Sequence, residues 1–241
     1  MEDLFEKVLE LKTKAKNRRD LKRYESAASF ANQAIQIGES ALVSPDAREK
    51  SKLADQLADS YGLLGGIYRR WGLSSDDQQK KYERLKESFN AYNTGYKKYE
   101  EREEYKIANS YNRLNRLVGY LLFNPASLDD PQVDIPDGKT LKEELEDAGV
   151  SIENQLKLER RGDVWAIADM ALVKLLLNRE SPMAAYADFI SASPADYVYD
   201  TVLSALRPLA VLELRDEIVD KLKGAVELVE GKLQNIRPAN L

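Results

Sequence analysis

Tyr61-Gly62-Leu63-Leu64-Gly65-Gly66-Ile67-Tyr68-Arg69-Arg70-Trp71-Gly72 is the stretch on which the fold turns. Leu53, Leu57, Tyr61, Leu64 and Tyr68 form an apolar stripe at helical spacing that stops at Gly72. Inside the stripe, Gly65 stands between the aromatic positions Tyr61 and Tyr68. A residue with no side chain at that point lets a second helix approach closely, and the flanking rings fill the gaps beside it. The stretch asks for a helix packed tightly on a paired helix.

The same period runs outward in both directions. Leu4, Val8, Leu11 and Ala15 make one stripe, and Tyr24, Ala27, Ala28, Ala31, Ala34 and Ile35 another, with Ser44-Pro45 as the next helix start. Leu85, Phe89 and Tyr92 follow, then Tyr111, Leu114, Val118, Leu121 and Leu122, closed by Asn124-Pro125. Residues 124–139 hold three Pro and four Asp without periodicity. They read as an exposed loop or linker between helical halves at 1–123 and 140–241. Beyond it, 140–147 and 151–160 read as two short polar helices, and Trp165, Ala168, Leu172, Leu175 and Leu176 restart the apolar stripe. Further helices are expected over 182–192, 195–206 and 209–235, set apart by Pro182, Pro194 and Pro208. The last carries Ile218, Leu222, Ala225, Val229 and Leu233 on one face, as a capping helix or a docking face. No run of period-two alternation appears, so the expected class is all-α.

Composition narrows the chemistry. The chain has 241 residues, 36 Lys and Arg, 41 Asp and Glu and a net charge of −5, which argues against a globally basic nucleic-acid binder. Absence of Cys removes disulfides, thiol nucleophiles and thiolate metal sites. Absence of His removes imidazole bases, Ser-His-Asp triads and nearly every zinc site. The start, Met1-Glu2-Asp3, is acidic where a signal peptide needs a basic region, and the longest uncharged apolar-rich run, Leu117 to Leu128, is far short of the ~20 residues of a membrane span. A cytoplasmic protein with no membrane partner is expected.

The pattern Tyr61-x-x-Leu64-Gly65-x-x-Tyr68-x-x-x-Gly72 resembles the first helix of a tetratricopeptide repeat. Val8-x-x-Leu11-x-x-x-Ala15 with Tyr24-x-x-Ala27 and Ala34 is similar to a hairpin of the same kind. Ser88-x-x-x-Tyr92-x-x-Gly95 and Ala185-x-x-x-Phe189-x-x-Ala192 resemble its second helix. Departures are the spacing between Gly72 and Leu85, Asn115 where Gly or Ala is usual, and Ala31 in place of an aromatic. Tyr111-Asn112-x-x-Asn115 with Leu121-Leu122 and Asp163-x-Trp165-x-x-Ala168 also resembles the tetratricopeptide-like region of apoptosis signal-regulating kinases and bacterial multidomain signalling proteins. The resemblance implies a stacked-hairpin solenoid acting as a regulatory module beside an effector, in bacterial signalling or defence.

On a helical wheel, Asn109, Asn112, Arg113 and Arg116 share the face opposite Leu114, Val118 and Leu121. In the family such a patch lines a concave groove, where Asn amides pair with peptide backbone and Arg forks with carboxylates. Arg69 and Arg70 are expected to join from the neighbouring helix. The plainer reading is a solvated face meeting Glu100, Glu101, Glu103 and Glu104. A second patch, Lys12, Lys14, Lys16, Arg18, Arg19, Lys22 and Arg23 against the one acid Asp20, suits an acidic partner or nucleic acid, although cations also favour helix C-termini. Glu100-Glu101-x-x-Glu104 with Glu144 and Asp147 looks like the Mg²⁺-binding carboxylate set of all-α nucleotide pyrophosphohydrolases. Trp71 and Trp165 read as core anchors.

The reading favoured is a non-catalytic adaptor or regulatory subunit that binds an acidic or extended segment of a protein partner, with no cofactor, metal or small-molecule substrate. A nucleic-acid accessory factor and the Mg²⁺ hydrolase are the alternatives.

Overall fold

A computed structural model describes residues 2–43, 47–105, 107, 110–130, 135–136 and 138–236. The described residues form ten α-helices and no strand, so the protein is all-α. The chain divides into two compact units, Met1–Phe123 and Asn124–Leu241. By residue count the first holds 23 Lys and Arg against 19 Asp and Glu, a net +4, and the second 13 against 22, a net −9.

Unit 1 contains α1 (Glu2–Asp20), α2 (Tyr24–Ala41), α3 (Ala47–Leu73), α4 (Gln78–Gly95) and α5 (Tyr111–Phe123). Consecutive helices pack on one another, and α3 also meets α1 and α5. The apolar stripes face inward: Val8 and Ala15 of α1, Ala27 and Ala31 of α2, Leu57 and Ile67 of α3 and Tyr92 of α4 are fully buried. Alanine-rich α2 lets α1 and α3 come close on either side, while Ile35, Leu63 and Leu64 fill the space between. Asp77 starts α4 by accepting from the backbone N–H of Gln79 at 3.0 Å and of Lys80 at 3.2 Å.

The tight approach expected at Gly65 is present. Ser88 Oγ of α4 donates to the Gly65 carbonyl at 2.8 Å, and the ring of Tyr92 lies where a Gly65 side chain would project.

After α4 the helix widens into one π-turn, Tyr96–Glu100, in which the Glu101 N–H donates to the Tyr96 carbonyl at 2.9 Å. A short 3₁₀ turn, Glu103–Tyr105, precedes α5.

Unit 2 contains α6 (Leu141–Leu158), α7 (Val164–Leu176), α8 (Pro182–Ser191), α9 (Asp196–Leu209) and α10 (Asp216–Ile236). Helix α6 packs on α7, α7 on α8 and α9 on α10, and α10 also meets α7 and α8. Thr140 and Glu143 form a reciprocal capping box at the start of α6. Asp163 caps α7 and Ser181 caps α8 in front of Pro182.

Three expectations are corrected here. The two short helices at 140–147 and 151–160 are one continuous helix, because Gly149 serves close packing on Val173 of α7 rather than a turn. Pro208 lies within the last turn of α9, not between helices. In the 124–139 segment, read as exposed, Pro125–Leu128 is a 3₁₀ turn in which Ser127 and Leu128 are buried, and Ile135 is buried as well.

No helix among the described residues is long and apolar enough to cross a membrane.

Candidate functional site

Two polar clusters of unit 1 contain the residues singled out from the sequence. The first surrounds the start of α5 and lies inside the unit. Asn112 and Arg116 are fully buried, Arg69 and Asn115 nearly so, and Arg113 is half-buried. Asn109 lies outside the described residues.

The π-turn aims the Glu100 carboxylate at the N-terminus of α5, where it accepts from the backbone N–H groups of Asn112 and Arg113, each at 3.2 Å. These are orphan donors of the first turn, and an anion placed there also complements the helix dipole. The Asn112 amide donates to Glu100 Oε1 at 2.7 Å and to the Ala58 carbonyl at 2.8 Å. Room for that side chain comes from Gly62 and Gly95, since a Cβ at either would lie within 3.0 Å of Asn112.

Arg116 donates to Asn93 Oδ1 at 3.2 Å and lies 4.4 Å from the centroid of the Tyr96 ring, with Arg113 at 5.5 Å from the same ring. Arg69 donates to Asn115 Oδ1 at 2.8 Å. The face expected to line a groove is therefore an internal polar network joining α3, α4 and α5. Periodicity missed it because Asn and Arg opposite an apolar stripe read as solvated. The available signals were Gly62 and Gly95, which open space for polar side chains.

The second cluster is at the surface, where α1 and α3 end. Helix α1 closes in a Schellman motif: Arg23 N–H donates to the Arg18 carbonyl and Lys22 N–H to the Arg19 carbonyl, both at 2.9 Å. Lys22 takes the left-handed position of that motif, with φ +57°, where glycine is usual. Lys16, Lys22 and Arg23 are exposed and form no ion pair among the described residues. Arg18 is half-buried, Lys14 pairs with Glu10 at 2.5 Å, and Lys12 is buried against Asp59 and Gln56.

Arg70, from the last turn of α3, joins this corner. Its Nη1 is 3.8 Å from Asp20 Oδ1, which Arg19 Nε also contacts at 2.9 Å. Burial, with Arg19 and then Arg69 close by, pushes the Arg70 guanidinium below its ordinary pKa, the mark of a cation short of compensation. The structure thus brings Arg70 of one expected set together with Arg19 of the other.

Beside it, Trp71 is half-buried, not a core anchor. Its ring stacks with Tyr24 at 6.4 Å and Tyr68 at 6.3 Å, and Arg84 lies 3.8 Å from its centroid. Trp165 of unit 2 is likewise half-buried, 6.3 Å from the exposed Tyr197 ring.

The carboxylates of the hydrolase alternative have other work. Glu100 caps α5, Glu101 pairs with Lys97 at 3.1 Å and Glu104 with Arg102 at 3.4 Å. In unit 2, Glu144 and Asp147 share Lys139. Among the described residues no group of three or more carboxylates is placed to hold a metal ion.

Compared with known proteins, the chain matches no family model, no curated protein and no solved structure.

Proposed function

We propose that this chain is a non-catalytic protein–protein interaction module, an adaptor or regulatory subunit built on tetratricopeptide-like stacking of helical hairpins, that holds an acidic, extended segment of a protein partner. The Ser88–Gly65 hydrogen bond and the seating of Tyr92 on Gly65 support the hairpin stacking. The observation that carries the choice of partner is the cationic corner at the ends of α1 and α3, where Arg19 and Arg70 share one carboxylate and Lys16, Lys22 and Arg23 face solvent with no ion pair among the described residues. Guanidinium groups held on helix ends suit carboxylates, and exposed lysines add attraction at longer range.

The test is affinity capture from the native host's lysate with wild-type protein beside Lys22→Glu/Arg23→Glu. A stoichiometric protein partner lost in the double variant is the expected result. Recovery of nucleic acid in place of protein would overturn the choice of partner.

A further inference from the structure

Asp20 is the last residue of α1, and its side chain is 61% exposed. Its Oδ1 is approached by Arg19 from its own helix at 2.9 Å and by Arg70 from α3 at 3.8 Å. The two arginine side chains are less open, at 22% and 37% exposure, so two partly covered cations from different helices converge on one carboxylate oxygen. Arg69 adds its charge to that felt by Arg70. A carboxylate so exposed, with one of its two contacts long, is easily exchanged for another, because partly desolvated guanidiniums keep their preference for a planar oxyanion whichever chain supplies it.

We infer that the Arg19–Arg70 fork is a receptor for a side-chain carboxylate of the partner's acidic segment, and that Asp20 is an internal carboxylate occupying the fork until the partner's displaces it. This rests on the module reading above and adds to it an autoinhibitory contact. Asp20 competes at the high effective concentration of a tethered group, so its removal strengthens external binding. Lys22 and Arg23, in the turn that closes α1, draw the remaining acidic residues of the segment. Trp71 follows Arg70 in the chain and stacks on Tyr24, so its fluorescence reports occupancy of the corner.

The experiment titrates a fluorescein-labelled, glutamate-rich peptide into the full chain, with circular dichroism confirming helicity for every variant. Asp20→Asn is expected to bind about tenfold more tightly than wild type and Arg70→Gln about tenfold more weakly. Glu25→Gln, the same change of charge at an exposed position of α2, is expected to stay within about twofold. Adding Asp20→Asn to Arg70→Gln is expected to recover little, because the two changes act on one fork. Arg70→Lys keeps the charge without the planar fork and is expected to bind as weakly as Arg70→Gln.

Equal effects of Asp20→Asn and Glu25→Gln, or additivity in the double variant, overturn the fork and leave the module reading in place. No binding to wild type and Asp20→Asn alike also overturns the fork, while partner capture tests the module separately. Binding of a thymidine oligonucleotide of equal charge but not of the peptide overturns both.

Discussion

The ring of Tyr92 in α4 occupies the place of a Gly65 side chain in α3, with a Cβ on Gly65 only 2.7 Å from the Tyr92 Cδ2 and Cε2 atoms. The helices are held at that separation by the Ser88–Gly65 hydrogen bond, so neither ring nor backbone yields freely. Gly65→Ala is expected to destabilise unit 1 by about 1–2 kcal/mol, overpacking outweighing the better helix propensity of alanine. Gly231→Ala in α10, where nothing lies within 4 Å, is expected to stabilise unit 2 by about 0.5–1 kcal/mol. Each unit holds one tryptophan, so urea transitions followed by Trp71 or Trp165 separate the two. Equal, small effects at both glycines would contradict the packing described.

Arg116 is a structural cation. Arg113→Glu/Arg116→Glu is expected to unfold unit 1, because a carboxylate in place of a fully buried guanidinium costs about 3–5 kcal/mol. Lys22→Glu/Arg23→Glu, at the exposed corner, is expected to stay within about 0.5 kcal/mol of wild type. Far-UV circular dichroism and urea midpoints decide between them, and an unchanged midpoint for the α5 variant would contradict the internal network.

Glu39 of α2 ties the π-turn to α3. It accepts from Tyr61 at 2.9 Å, Lys98 at 2.8 Å and Tyr99 at 3.2 Å. Burial raises its pKa, but Lys98 and the two phenols together outweigh burial and hold it below 4.5. A depressed carboxyl pKa contributes stability above its unfolded value and loses it as pH falls through the folded value. Glu39→Gln is therefore expected to lower the urea midpoint of unit 1 at pH 7, with the difference closing as pH falls below 4.5. A difference constant from pH 7 to pH 3 would contradict the assignment.

Much of the helical framework was legible because a buried helix face repeats in the sequence. Val8, Leu11 and Ala15, or Ile218, Leu222, Ala225 and Val229, read at the helical period and are buried together. The environment of α5 was not legible. Its polar face meets Glu100, Asn93 and Tyr96, which a π-turn and two glycines bring to it, and neither device has a period. Gly149 shows the same limit, since a glycine that packs against Val173 and a glycine that turns the chain look alike in sequence. The cationic corner was half legible: the basic run of 12–23 stands out, whereas Arg70 reaches it only through the packing of α3 beside α1.

Lys22 joins stability to binding in one side chain. Its left-handed backbone favours glycine by about 1 kcal/mol, so a lysine there sacrifices stability for a charge at the corner. Lys22→Gly is expected to raise the urea midpoint of unit 1. The most direct measurement is the amount of protein partner retained from lysate by the Lys22→Gly bait beside wild type. Weaker retention by the more stable variant is the predicted result; equal or stronger retention would contradict the cationic corner as the partner's site.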